Sequence, residues 1–326
     1  MHLVTGATGL IGSFICRTLL NSGYSLRAIK RKDSSMNLVA DIQNQIEWVE
    51  SNVLDVSSLR KTMQGVEGVV HSAAFISYDS RDEAYMQKVN VEGTANVVNI
   101  ALAEGVSHIL FVSSVAAVGK KSSAKQVDET HTITVADELT GYARSKWLAE
   151  VEVWRGIAEG LPAVIINPSL VLGPGDLDRS STQVFKYIQE ERRFYTDGVV
   201  NYVDVRDVAE VAKRIIDRKL VNERYIVSAE SITYKQLFDT IARAMDKRAP
   251  GIKVKVPLIK WMSRVDKIRT ILTGQKPLIS EELVQVAKNR HTYDNQKIKE
   301  TVDVQFRTLD ETIQWCSEEL AKKQRY

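Results

Sequence analysis

Two stretches of the chain place a tyrosine four residues before a lysine: Tyr142 with Lys146 in TGYARSKW, and Tyr293 with Lys297. Residues four apart share one face of a helix, so an ammonium can stand beside a phenol there. The pairing suits reduction of a carbonyl. Hydride addition leaves an alkoxide that must take a proton, and a donor poised near neutral pH serves best. Tyrosine starts at a pKa of about 10, and bringing it to about 7 requires ~4 kcal/mol of preferential phenolate stabilisation. One ammonium about 5 Å away contributes on the order of 3 kcal/mol at an effective dielectric of about 20. Spacing alone does not choose between the two pairs: 11 tyrosines and 23 lysines in 326 residues give about one such match by chance. The elements around each pair must decide.

Short β-rich runs alternate with helical stretches through the first half: HLVT, a helix over 10–21, SLRAIKR, IEWVES, GVVHSAA, HILFVSS and AVIINPS. Such alternation predicts a parallel sheet wrapped by helices. The runs VVHSAA and ILFVSS are apolar throughout, as strands covered on both faces should be, and are expected at the centre of the sheet. After about Pro174 the rhythm turns mostly helical. Thr233 begins a T-x-x-Q capping box, and Leu309, Ile313, Cys316 and Leu320 recur at helical spacing. RYIVSA at 224–229 reads as a strand returning to the main sheet. The expected organisation is a dinucleotide-binding domain over 1–173, rejoined by 199–228, and a substrate-binding region made of 174–198 and 229–326.

The first strand runs straight into TGATGLIG, with glycines at 6, 9 and 12, and an amphipathic helix follows. A glycine-rich turn there lets backbone N–H groups approach a pyrophosphate at the positive helix end, while Gly12 permits close packing of helix on strand. The fold class expected is therefore α/β, a Rossmann-type doubly wound parallel sheet with a smaller, mostly helical C-terminal substrate region.

The glycine spacing is G-x-x-G-x-x-G, and other stretches accompany it in order: HSAA at 71–74, VNVEGTAN at 89–96, FVSS at 111–114, YARSK at 142–146, NPSLVLGPGD at 167–176 and YVDVRDVA at 202–209. Together they cover nearly the whole chain. The set resembles the extended short-chain dehydrogenases/reductases, the NAD-dependent epimerase/dehydratase family, and NPSLVLGPGD looks closer to its dihydroflavonol 4-reductase-like branch. Asn167 and Leu172 stand where sugar-nucleotide members often have arginine and tyrosine, which favours simple reduction over epimerisation.

The resemblance implies a catalytic set of Ser114, which would hold the carbonyl, Tyr142 as proton donor, and Lys146 as its tuner and a ribose contact; Ser113 is the neighbouring alternative. It implies cofactor contacts from Gly6, Thr8, Gly9, Leu10, Ile11 and Gly12 at the pyrophosphate. Asn52 and Val53 would meet the adenine, Ala73 and Ala74 would let backbone pass close to the ribose, and Asn90 would sit against the cofactor or the active-site backbone. Pro168, Ser169 and Val171 would line the nicotinamide. Many members carry Asp where Asn52 stands, and Asp55 can serve as a helix cap. His71 is expected as a packed histidine. At the end of the second strand, where an acid would bind a ribose 2′-hydroxyl, stand Lys30, Arg31 and Lys32. A guanidinium offers paired donors suited to a 2′-phosphate, so Arg31, with Lys32 or Lys30 adding charge, points to NADP(H), with NAD(H) as the alternative.

Tyr293 follows NRHT and is expected to open a polar helix that Asp294 and Asn295 cap, with no catalytic role. A net charge of +3, and a 7% aromatic share not interleaved with arginines, argue against nucleic acid as partner. Cys16 and Cys316 lack the spacing of a metal site or disulfide framework. With no apolar leader and no run of about 18 apolar residues, a soluble, cytoplasmic protein without an integral membrane segment is expected. Stretch 257–272 is amphipathic and basic, expected to cover the core or a substrate pocket, with a membrane surface as the alternative. Trp147, Val151 and Trp154 form a stripe that suggests a homodimer, with internal core as the alternative. The rival functions are an NAD-dependent sugar-nucleotide epimerase/dehydratase and a non-catalytic dinucleotide-binding redox-sensing or scaffold module; the latter would more often lose the tyrosine or lysine.

Overall fold

The computed structural model describes residues 1–77, 79–119, 125–134, 139–178, 180–254 and 290–323, so the basic stretch 257–272 lies outside the described residues. Seven parallel strands form the main sheet: β1 (His2–Thr5), β2 (Leu26–Lys30), β3 (Ile46–Glu50), β4 (Gly68–His71), β5 (His108–Val112), β7 (Ala163–Pro168) and β11 (Glu223–Val227). Their order is β11-β7-β5-β4-β1-β2-β3. The chain moves outward from β1 to β3 and then returns to β4 on the other side. Open α/β sheets bind ligands at the crevice of such a reversal.

The apolar runs lie where two-sided burial requires. Both β4 and β5 are central, and neighbouring residues feed opposite cores: Val4, Val70, Leu110 and Ile166 face one cluster, Leu3, Val69, Ile109 and Ile165 the other. On the first face α1 (Leu10–Asn21) packs against α7 (Val205–Asp217). On the second lie α2 (Val56–Met63), α4 (Gly93–Ala103) and α5 (Gly141–Ala158), with α3 (Glu83–Gln87) beside α5.

A third cluster is built around β8 (Leu170–Leu172), β10 (Val199–Asp204) and β12 (Glu230–Thr233), a sheet of order β12-β10-β8. Of the segment 199–228, β11 pairs with β7 in the main sheet, whereas β10 belongs to this smaller one. The covering helices are α6 (Gln183–Gln189), α8 (Tyr234–Ala244) and α10 (Leu309–Lys323). Thr233 and Gln236 form the capping box at the start of α8, and Ile313, Cys316 and Leu320 make the buried stripe of α10. β9 (Phe194–Tyr195) pairs with β13 (Ile252–Lys253), and α9 (Gln296–Val302) lies against β11.

One local expectation is corrected. Tyr293 does not open a helix; it sits on β14 (Thr292–Tyr293), which pairs with β6 (Gln126–Val127), and α9 begins only at Gln296. The Asp294 side chain accepts the Gln296 N–H at 2.8 Å and so caps α9, while the Asn295 amide donates to the Ser228 and Ala229 carbonyls. Two residues with extended backbone precede the cap, which the local sequence pattern does not distinguish from a helical first turn. Among the described residues no helix is long and apolar enough to cross a membrane.

Candidate active site

The turn between β1 and α1 is shaped by absent side chains. Gly6 adopts φ +71°, and a Cβ there would lie 2.6 Å from the Ala73 nitrogen; a Cβ on Gly12 would collide with the Gly6 carbonyl. Glycine at both positions lets the turn, α1 and the backbone after β4 close on one another. Gly9 is the N-cap of α1 and offers no capping side chain, so no side chain satisfies the first-turn N–H groups at the positive helix end. Thr8, Leu10 and Ile11 are half-buried along the same turn. The start of α1, exposed at Gly9 and left without a side-chain cap, fits a dinucleotide pyrophosphate.

The flanking strand ends hold the other cofactor candidates. Arg31 is half-exposed, its Nε 3.3 Å from Asp33 Oδ1 and its N–H donating to the Ser34 hydroxyl, while Lys32 is exposed beside it. Asn52 turns its Oδ1 onto the Leu54 N–H at 3.0 Å, and Val53 is buried with its carbonyl accepting from Asn96. Asp55 caps α2 by accepting from the Ser58 N–H. The Ala73 N–H donates to the Thr5 hydroxyl, and Ala74 is exposed. His71 is enclosed between the Thr5 and Thr94 hydroxyls, and burial drives its pKa down to about 3, so the ring is neutral.

Asn90 lies in a π-helical turn at Lys88–Glu92, an insertion frequent at functional sites. Its Oδ1 accepts from the Phe75 N–H, and its Nδ2 donates to the Phe75 carbonyl and to the Ser145 hydroxyl. It thereby clamps the loop after β4 to α5. On the opposite side Pro168, Ser169 and Val171 are buried, with the Ser169 N–H donating to the Val227 carbonyl and Val171 packed into the core.

Thr140 caps α5 by accepting the Ala143 N–H, which sets Tyr142, half-buried, in the first turn. One turn on, Lys146 is 2% exposed; its Nζ donates to the Val112 carbonyl at 3.0 Å and lies 4.6 Å from the centre of the Phe111 ring. Burial lowers its pKa to about 8, opposed by the charge of Glu150. Ser114 lies two residues beyond the end of β5, and its hydroxyl accepts the Ala116 N–H at 3.2 Å. Lys146 is thus anchored on the strand end from which Ser114 projects. A nitrogen on Asn167 donates both to the Ser114 carbonyl at 2.9 Å and to Glu150 at 2.5 Å, and Arg224 stands 3.5 Å from the same carboxylate. Sequence reasoning missed Glu150 and Arg224. The available signal was the continuation of the helical period from Tyr142 through Lys146 to position 150.

Residues 2–228 match the sequence profile of the NAD dependent epimerase/dehydratase family. A candidate dihydroflavonol 4-reductase of Synechocystis sp. is 30% identical over 304 residues, 90% of this chain and 87% of that protein. Cinnamoyl-CoA reductase 1 of Oryza sativa subsp. japonica is 32% identical over 240 residues, 68% of this chain and 69% of its own. The crystal structure of gox2253 superposes with a TM-score of 0.87 at 30% identity, covering 100% of this chain and 99% of that one. Yeast methylglyoxal/isovaleraldehyde reductase Gre2, solved with NADPH, shares the fold at a TM-score of 0.77 and 20% identity, with 99% of both chains covered.

Proposed function

The chain belongs to the NAD-dependent epimerase/dehydratase family, the extended short-chain dehydrogenases/reductases, and within it we propose an NADP(H)-dependent oxidoreductase that reduces a ketone or aldehyde to an alcohol. The carrying observation is the desolvated Lys146 ammonium, one turn from Tyr142 and fixed to the Val112 carbonyl two residues before Ser114. When bound, the nicotinamide supplies the hydride. Ser114 holds the carbonyl oxygen with its hydroxyl, and Tyr142 gives that oxygen its proton. Lys146 stabilises the phenolate left behind, all the more because its ammonium is buried. Reductase relatives at 30% and 32% identity support reduction as the chemistry, and the Lys30–Arg31–Lys32 strand end supports NADP(H) over NAD(H).

The test is to follow nicotinamide absorbance with aldehydes, ketones and nucleotide sugars, using NADPH and NADH in parallel. We expect consumption of NADPH with a carbonyl substrate, and about tenfold weaker NADPH binding in Arg31→Ala with NADH binding unchanged. Equal affinities for both cofactors overturn the Arg31 assignment. The epimerase reading, which the family also contains, instead predicts conversion of a nucleotide sugar with no net change in absorbance. The outer face of α5, where Val151 is 44% exposed beside a half-buried Trp147, is the surface on which a second copy would pair. Sedimentation as a monomer at micromolar concentration removes the dimer.

A further inference from the structure

One turn beyond Lys146 the same face of α5 carries Glu150, 2% exposed. A carboxylate that deep persists only where partners answer it. Its Oε1 accepts from Asn167 Nδ2 at 2.5 Å, and its Oε2 lies 3.5 Å from the Arg224 guanidinium. The same Asn167 nitrogen donates to the Ser114 carbonyl. Arg224 in turn donates to the Glu129 and His131 carbonyls, in the segment that leads toward α5. Glu150 therefore stands where α5, β7, β11 and the strand end carrying Ser114 meet.

Building on the carbonyl-reductase reading, we propose that Glu150 is a positioning residue for this site: through Asn167 it fixes the backbone of Ser114, and it places a negative charge one helical turn from Lys146. It touches neither substrate nor cofactor. Tyr142 and Glu150 stand one turn to either side of Lys146 on its own helix, and the groups facing it from other elements are the neutral His71 from β4 and the Phe111 ring and Val112 carbonyl from β5. Those facing Glu150 are Lys146, Ser113, Asn167 from β7 and Arg224 from β11. Burial pushes the Glu150 carboxyl upward, while Arg224 and the Asn167 amide favour the charged form. Without that charge the buried ammonium of Lys146 is opposed by desolvation alone, so it loses its proton at lower pH. Reduction needs a protonated Tyr142 beside a charged Lys146, and the basic limb of its pH–rate profile then moves to lower pH.

Two variants separate the two roles. Glu150→Gln removes the charge yet can still accept from Asn167, and should move the basic limb of kcat down by about one pH unit. Asn167→Ala keeps the charge but frees the Ser114 carbonyl, and should lower kcat about tenfold with the limb unmoved. NADPH binding, read by cofactor fluorescence, should stay within about twofold in both. Where Glu150→Gln does not fold, Glu150→Asp joins Asn167→Ala: both retain the charge, and both must lower kcat without moving the limb. Variants that only melt earlier, with kcat per folded enzyme and pH profile unchanged, overturn the proposal. A wild-type protein that reduces no carbonyl overturns the reductase reading itself, a result distinguishable from unaltered variants of an active, Tyr142-dependent enzyme.

Discussion

The two Tyr-x-x-x-Lys segments share their spacing and little else. Tyr142 and Lys146 lie on one continuous helix, with the ammonium buried on the end of a central strand. Tyr293 lies on a two-residue strand and Lys297 on the helix after it, so the fourfold spacing no longer places them on one helical face. Lys297 remains 37% exposed, pairs with Glu223 at 2.6 Å and lies over the Tyr225 ring. Spacing becomes chemistry only when the backbone is helical and the cation has lost its water. A solvated ammonium is a weak neighbour for a phenol, because water screens it; a desolvated one acts through a low dielectric.

The largest effect should separate the two tyrosines. Tyr142→Phe removes the proposed donor and leaves the ring, so kcat for carbonyl reduction should fall by about a thousandfold while NADPH still binds. Steady-state turnover alongside a cofactor titration checks this. Normal turnover in that variant would sink the donor assignment and make both pairs structural.

Lys146→Met comes next, with an expected loss of about a hundredfold in kcat and no matching loss of stability. Burial lowers the Lys146 pKa from its ordinary 10.5 to about 8, so between those values the unfolded chain binds the proton that the folded one has released. Stability should therefore rise with pH across about 8 to 10.5 in the wild type, and that slope should vanish in Lys146→Met. On the acid side the enclosed, neutral His71, with its pKa at about 3, should cost stability as pH falls below about 6.5 in both proteins. Thermal unfolding across pH reads both windows. A retained alkaline slope in the variant would assign it to another group.

Tyr293→Phe should be far milder. The Tyr293 hydroxyl donates to the Val115 carbonyl at a long 3.4 Å, next to Ser114, and the ring is 8% exposed in a small cluster with Val118, Val127 and Ile226. Phenylalanine keeps the packing, so stability should drop by about 1 kcal/mol or less, with kcat within about twofold. A tenfold loss of kcat would show that the rear of the Ser114 loop is positioned from β14.

How much of this was legible in the sequence follows from how locally each feature is encoded. Strands β1, β4, β5 and β7 and the limits of α1 were readable because two-sided burial writes continuous apolar runs and glycine marks the turn before the helix. The Gly6–Gly12 turn and the Ser114, Tyr142 and Lys146 positions were readable as short motifs. The network of Glu150, Asn167 and Arg224 was not, because it joins one helix to two strands that become neighbours only in the folded sheet. Nor was Tyr293: a strand of two residues has no period to detect, and its partner β6 precedes α5. Short pairings of distant segments leave no local signature, whatever their consequence for the site.

The smallest effect should come from Lys297→Met, the counterpart of the Lys146 variant. Its ammonium reaches Glu223 and the Arg224 carbonyl from a half-exposed position, where Coulomb attraction, side-chain entropy and counterions nearly cancel. The expected loss is about 0.5 kcal/mol, shrinking further in high salt, with kcat unchanged. The Arg224 carbonyl ties Lys297 to the buried network, since the guanidinium of that residue faces Glu150. If Lys297→Met lowered kcat several-fold at every salt concentration, β11 would be transmitting strain from the protein surface to Ser114. Unchanged kcat with a salt-sensitive melting temperature leaves the second pair as a surface tether, and the difference between the two lysines as one of hydration.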